Sequence, residues 1–213
     1  MAVIVPAILA ESPAALTVQA ERVVSLAPLI SFDVADGEFV SARTPLPTDY
    51  PKLPPGKSVF WHLMVHEPVR YLEDCLAVPS QIIAVHAEAR GVGEALDVLA
   101  ERDILTGLVI NPETPVSLIE PALDRVDLVQ VMTVQPGAQG SRFFPEQLGK
   151  LSQLRALREN LVLAVDGGVS RATVEVVSRY RPEYLVVGSA LLEANEPAEE
   201  YRILSRLAAI ASR

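Results

Sequence analysis

The chain predicts an α/β fold, a single (β/α)8 TIM barrel over residues 1–213 with a reduced second helix, and three observations carry it. Short β-branched runs recur eight times, amphipathic stretches separate them, and polar or glycine residues gather just after the runs. Strands that alternate with helices need crossover connections and therefore a parallel sheet. Eight such units close a barrel, whose C-terminal strand ends are where chemistry is placed.

The predicted strands are Val3–Leu9, Leu29–Val34, Ser58–Met64, Gln81–His86, Thr106–Ile110, Leu128–Thr133, Leu161–Val165 and Tyr184–Val187. Between them, Ser12-Pro13, Thr114-Pro115 and Asn195-Glu-Pro197 each place a cap ahead of a proline suited to the first helical turn. The second connection differs. Thr44-Pro-Leu-Pro-Thr-Asp-Tyr-Pro-Lys-Leu-Pro-Pro-Gly56 holds five prolines, four of them where a helix needs N–H donors, so its helix is one turn or absent. No composition shift or charge block marks a domain boundary.

Half the residues are hydrophobic, as expected where parallel strands are buried on both faces. The apolar runs are short and broken by charge or proline, so none reads as a membrane span. The N-terminus lacks a basic region and runs directly into a strand, which predicts no leader and a cytoplasmic location. A net charge of −9 argues against nucleic acid and anionic membranes as partners. A nest of backbone N–H groups can still take a small anion. The single cysteine, Cys75, leaves no internal disulfide, and its place in a helical apolar pattern predicts a buried thiol.

Polar residues at strand ends are the candidates for chemistry. Strand two ends in Asp33 with Asp36-Gly37 following, strand three carries His62, strand four His86 and Glu88, strand five Asn111, and strand seven Asp166. Two carboxylates and an imidazole converging on one mouth can hold a divalent metal, and the carboxylates can also move protons. Glycines cluster after the last three strands, at Gly137, Gly140-Ser141, Gly167-Gly168 and Gly188-Ser189. Glycine lets backbone N–H groups approach an anion closely, which is how barrels build a phosphate site.

These residues also resemble a known family. Phe32-Asp-Val-Ala-Asp-Gly-Glu-Phe-Val40, His62-Leu-Met64, Val85-His-Ala-Glu88, Asn111-Pro-Glu-Thr-Pro115, Val131-Met-Thr-Val-Gln-Pro-Gly137, Val165-Asp-Gly-Gly-Val169 and Val187-Gly-Ser-Ala190 are similar, in order, to ribulose-phosphate 3-epimerases. The resemblance implies inversion at C3 of a ketose phosphate, D-ribulose 5-phosphate to D-xylulose 5-phosphate, through an enediolate. It implies Asp33 and Asp166 as the acid/base pair and Asp33, His62 and Asp166 as ligands of a divalent zinc, iron, manganese or cobalt ion. His62, Met64 and Met132 would line the sugar site, and Gly137, Gly140, Ser141, Gly167, Gly168, Gly188 and Ser189 would hold the phosphate. It further implies a homo-oligomer.

Relatives acting on a hexulose phosphate such as allulose 6-phosphate share much of the pattern, and a barrel that binds the phosphosugar without turnover would keep it too. No strand end carries a lysine for Schiff-base chemistry. The departures from the family fall on the same site. Ser31 stands where the family has a metal-binding histidine, Ala10 for a serine, Ala35 for a methionine and Gln135 for an asparagine, and Gly137-Ala-Gln-Gly140 replaces Gly-Phe-Gly-Gly. A neutral serine is a far poorer ligand than imidazole for zinc.

Overall fold

In a computed structural model, which describes residues 2–137 and 140–211, the strands close as β1-β2-β3-β4-β5-β6-β7-β8. They are β1 Val3–Ile8, β2 Leu29–Ala35, β3 Ser58–Met64, β4 Ser80–His86, β5 Leu105–Ile110, β6 Leu128–Met132, β7 Val162–Asp166 and β8 Tyr184–Val187. Every neighbouring pair is parallel, including β1 with β8. The helices are α1 Pro13–Val23, α2 Val69–Leu76, α3 Val92–Ala100, α4 Gly149–Leu157, α5 Val174–Ser178, α6 Ser189–Leu192 and α7 Pro197–Ala211. Each strand begins and ends within a residue of its expected bounds, because a run buried on both faces is apolar from end to end. Among the described residues, no helix is long and apolar enough to cross a membrane.

Alternation along the strands divides the core in two. Val5, Ala7, Leu29, Phe60, Ile82, Ala84, Val109 and Leu128 point inward and fill the barrel. Ile4, Ile30, Phe32, Trp61, Ile83 and Leu108 point outward and pack under the helices. Cys75 is fully buried there on α2, where burial pushes its thiol up.

As expected, the β2–β3 connection carries one short 3-10 turn, Pro47–Asp49. Its prolines cannot donate to a helical ladder, so the segment covers the barrel with side chains instead. Tyr50 packs on Phe32 and Trp61 with ring centroids 4.8 and 5.2 Å away. Its hydroxyl donates to the Asp33 carbonyl at 2.6 Å, so the loop that replaces a helix also braces a candidate site strand.

The start signal at Ser12-Pro13 opens α1, with Ser12 Oγ accepting from Ala15 N–H at 3.2 Å. Ser12→Ala should cost about 1 kcal/mol of stability in chemical denaturation, the usual value of a lost cap. The signal at Thr114-Pro115 does not open an α-helix. Two 3-10 turns, Val116–Leu118 and Glu120–Arg125, follow, because Pro121 breaks the ladder and the Thr114 hydroxyl bonds to Glu88 instead of capping. At the third signal the carbonyl that accepts the first N–H groups of α7 is that of Glu196, one residue past Asn195.

Candidate active site

Asp33 and His62 are register partners on β2 and β3, so both point inward at the same height. Asp166 ends β7 beside Met132 of β6. Closure of the barrel brings these groups together. His62 Nδ1 lies 3.2 Å from Asp33 Oδ1 and 3.2 Å from Asp166 Oδ2. The three donors all lie within 4.8 Å of one another and could hold a metal ion. A set of two carboxylates and one imidazole fits a divalent ion with its other positions open to water or substrate, as catalytic sites commonly have.

Burial sets the charges. Asp33 is held above the usual carboxylate range, chiefly by desolvation, with the Asp166 charge adding to it and His62 opposing. Burial alone would press the His62 imidazolium down, but hydrogen bonds to Asp166 and Asp33 override it and hold the group up at about 9. The cluster is thus two carboxylates sharing one imidazole.

Asp33, His62, Met64, Met132 and Asp166 line one cleft together with Gly137, Gly140, Ser141, Gly167, Gly168, Gly188 and Ser189. It encloses about 560 Å³, its open mouth included. The acidic cluster and the glycine loops after β6, β7 and β8 thus share one space. Gly167 and Gly168 adopt φ +105 and +68, a region L side chains avoid. A Cβ on Gly167 would sit 2.3 Å from Val134 Cγ2, and one on Gly168 2.9 Å from Phe143 Cβ, so the loops pack too closely for a side chain. The Thr133 hydroxyl donates to the Gly167 carbonyl at 2.6 Å and ties the two loops together. The Ala138-Gln139 pair of the altered sixth loop lies outside the described residues.

Other strand-end residues fall elsewhere. Asp36 accepts from the backbone N–H groups of Glu38, Phe39 and His66 and so organises its own loop. His86, Glu88 and Asn111 do not line the cleft; His86 lies behind His62, its Nε2 2.9 Å from His62 Nε2. Ser31 is fully buried, and its Oγ has no hydrogen-bond partner among the described residues. It faces Ala7 and Phe60 across the register, so a bulky ring walls in the place of the family's histidine.

Gln130 escapes the sequence reading, although a glutamine inside the apolar strand Leu128-Val-Gln-Val-Met132 is itself a signal. Its Nε2 donates to Asp166 Oδ2 at 3.0 Å, while its Oε1 is buried without a partner. Gln130 therefore fixes the rotamer of Asp166 from below.

Comparison with known proteins places the chain in a family. The Ribulose-phosphate 3-epimerase of Bacillus subtilis (strain 168) is 35% identical over 170 residues, covering 76% of this chain and 78% of that protein. The cytoplasmic isoform of Ribulose-phosphate 3-epimerase from Oryza sativa subsp. japonica is 31% identical over 204 residues, covering 92% and 90%. Among solved structures, 3-hexulose-6-phosphate synthase from Salmonella typhimurium superposes with a TM-score of 0.72 over 98% of this chain and 99% of that one. At 16% identity that likeness speaks for the barrel alone. The model of the Ribulose-phosphate 3 epimerase family matches residues 3–192, nearly the whole barrel with its cleft, and the chain belongs to that family of isomerases.

Proposed function

We propose that the chain inverts C3 of a phosphorylated ketose, interconverting D-ribulose 5-phosphate and D-xylulose 5-phosphate. The observation that carries this reading is the pair of inward carboxylates, Asp33 and Asp166, flanking one imidazole nitrogen at 3.2 Å each at one end of a glycine-lined cleft. The C3 proton is acidified by the neighbouring carbonyl. One carboxylate removes it, leaving an enediolate, and the other, as the carboxylic acid, delivers a proton to the opposite face. No electrons are gained or lost. The enzyme ends with its proton on the other aspartate, ready for the reverse direction or for exchange with solvent. The Asp33 carboxyl, raised chiefly by its burial, suits a group that must hold a proton as well as take one.

Asp33, His62 and Asp166 would hold a divalent ion such as zinc, iron, manganese or cobalt, which when bound offsets the negative charge developing on the substrate oxygens. With one imidazole in the set and Ser31 contributing none, an oxygen-preferring ion is better tolerated than in a two-histidine site. Met64 and Met132 supply an apolar, adaptable wall against the sugar. The backbone N–H groups at Gly137, Gly140 and Ser141, at Gly167-Gly168 and at Gly188-Ser189 bind the phosphate, despite the net charge of −9.

The test is metal content together with deuterium exchange at C3. Purified protein incubated with D-ribulose 5-phosphate in deuterated water should incorporate deuterium at C3, and D-allulose 6-phosphate should be exchanged more slowly. A reversed order would move the substrate to the hexulose, and no exchange with any pentulose or hexulose phosphate would overturn the reading. Gly167→Ala, whose Cβ would press on Val134, should weaken inorganic phosphate binding by about tenfold or more in calorimetry. Unchanged phosphate binding would remove that loop from the site.

A further inference from the structure

His86 and Glu88 do not line the cleft, yet His86 is in direct contact with the imidazole between the two aspartates and Glu88 stands behind His86. The rings of His62 and His86 have centroids 5.1 Å apart and planes 24° apart, while their Nε2 atoms are only 2.9 Å apart. Rings so placed meet edge to edge, in line, rather than stacking. One Nε2 must donate and the other accept. Beyond His86, Nδ1 lies 3.4 Å from Glu88 Oε2, an ion-pair contact that falls short of a formed hydrogen bond. Glu88 itself is pinned through its other oxygen, Oε1, which accepts from the Asn111 N–H at 2.9 Å and from the Thr114 hydroxyl.

With His62 neutral, as a metal ligand must be, this order of groups admits one proton arrangement. A carboxylate only accepts, so the His86 nitrogen that faces it carries the hydrogen. His86 Nε2 then bears the lone pair and accepts, and His62 Nε2 must be the donor. The lone pair of neutral His62 is thereby left on Nδ1, the nitrogen aimed between Asp33 and Asp166. The opposite tautomer would set a His86 lone pair against the Glu88 carboxylate.

We propose that Glu88, acting through His86, fixes the tautomer and aim of His62, making both of them positioning residues for the cation site. The inference rests on the reading that Asp33, His62 and Asp166 hold a divalent ion. It carries extra weight in this chain, where His62 is the only imidazole in the donor set. Partners that orient a ligating histidine commonly contribute 10–100-fold in metal affinity.

Two substitutions at one position separate positioning from support. In Glu88→Gln, the amide oxygen stays with the Asn111 and Thr114 donors, so the NH2 group takes the place that faces His86. It donates to His86 Nδ1, His86 Nε2 becomes the donor, and the proton on His62 moves to Nδ1, where it blocks the ion. Glu88→Ala only removes the anchor. Positioning therefore predicts that the isosteric glutamine is worse than alanine, whereas simple structural support predicts the reverse.

The probe is cobalt(II) alone, titrated into the full chain and followed by its visible absorption, with circular dichroism to confirm folding. The expected result is about 100-fold weaker binding in Glu88→Gln and about tenfold weaker in Glu88→Ala. Imidazole 15N spectra of the zinc-loaded wild type should place the His62 proton on Nε2, and those of metal-free Glu88→Gln at neutral His62 should place it on Nδ1. Equal affinities, or alanine worse than glutamine, would overturn the relay while leaving the cation site intact. No cobalt binding by the wild type would overturn the cation site and the relay with it.

Discussion

Asp33→Asn and Asp166→Asn should each lower C3 exchange on D-ribulose 5-phosphate by about 10²–10⁴-fold, the range a positioned acid or base contributes. Both substitutions keep the shape and remove the titrating oxygen. The folds should survive, because asparagine can still accept from the groups around each site: Tyr50 reaches the Asp33 backbone carbonyl, not its side chain, and Gln130 can donate to either residue at 166. A second readout follows from the same geometry. His62 is held at about 9 by two carboxylates, so removing either should bring its imidazolium down toward the ordinary range, visible in a histidine NMR titration of metal-free protein. Exchange within tenfold of wild type in either variant would remove that aspartate from the acid/base pair. A large loss in one alone would point to one-sided proton transfer.

The largest effect on stability should come from Trp61→Ala, at about 3–5 kcal/mol in chemical denaturation. Trp61 is fully buried on the outer face of β3, packed against Phe32 at 5.4 Å and Tyr50 at 5.2 Å between ring centroids. Its Nε1 donates to Ser80 Oγ at 2.9 Å. The proline-bearing loop has no helical ladder of its own, and the indole is the apolar surface on which its Tyr50 packs, beside Phe32. Against a total of about 5–15 kcal/mol, the loss leaves little reserve. The site should feel it as well, because Trp61 precedes His62 and Tyr50 braces the Asp33 backbone. Tyr50→Phe isolates that second link and should cost only about 1 kcal/mol. A Trp61→Ala cost below about 1 kcal/mol would mean that the loop is held by something other than this aromatic cluster.

The sequence by itself determined the eight strands, the missing second helix and many, though not all, of the residues that line the cleft. Those features are local: an apolar run marks a strand buried on both faces, a proline removes an N–H wherever it stands, and the C-terminal strand ends of a barrel surround its mouth. The tertiary structure decided which of those residues touch. Thr114 read as a helix cap and instead binds Glu88, twenty-six positions away. Gln130 read as part of an apolar strand and instead fixes Asp166, and His86 stands behind His62 rather than in the cleft. Each of these contacts joins groups on different strands or loops, and only closure of the barrel brings them within hydrogen-bond reach. Local patterning sets which face a side chain occupies; the partner it meets there depends on the register between strands.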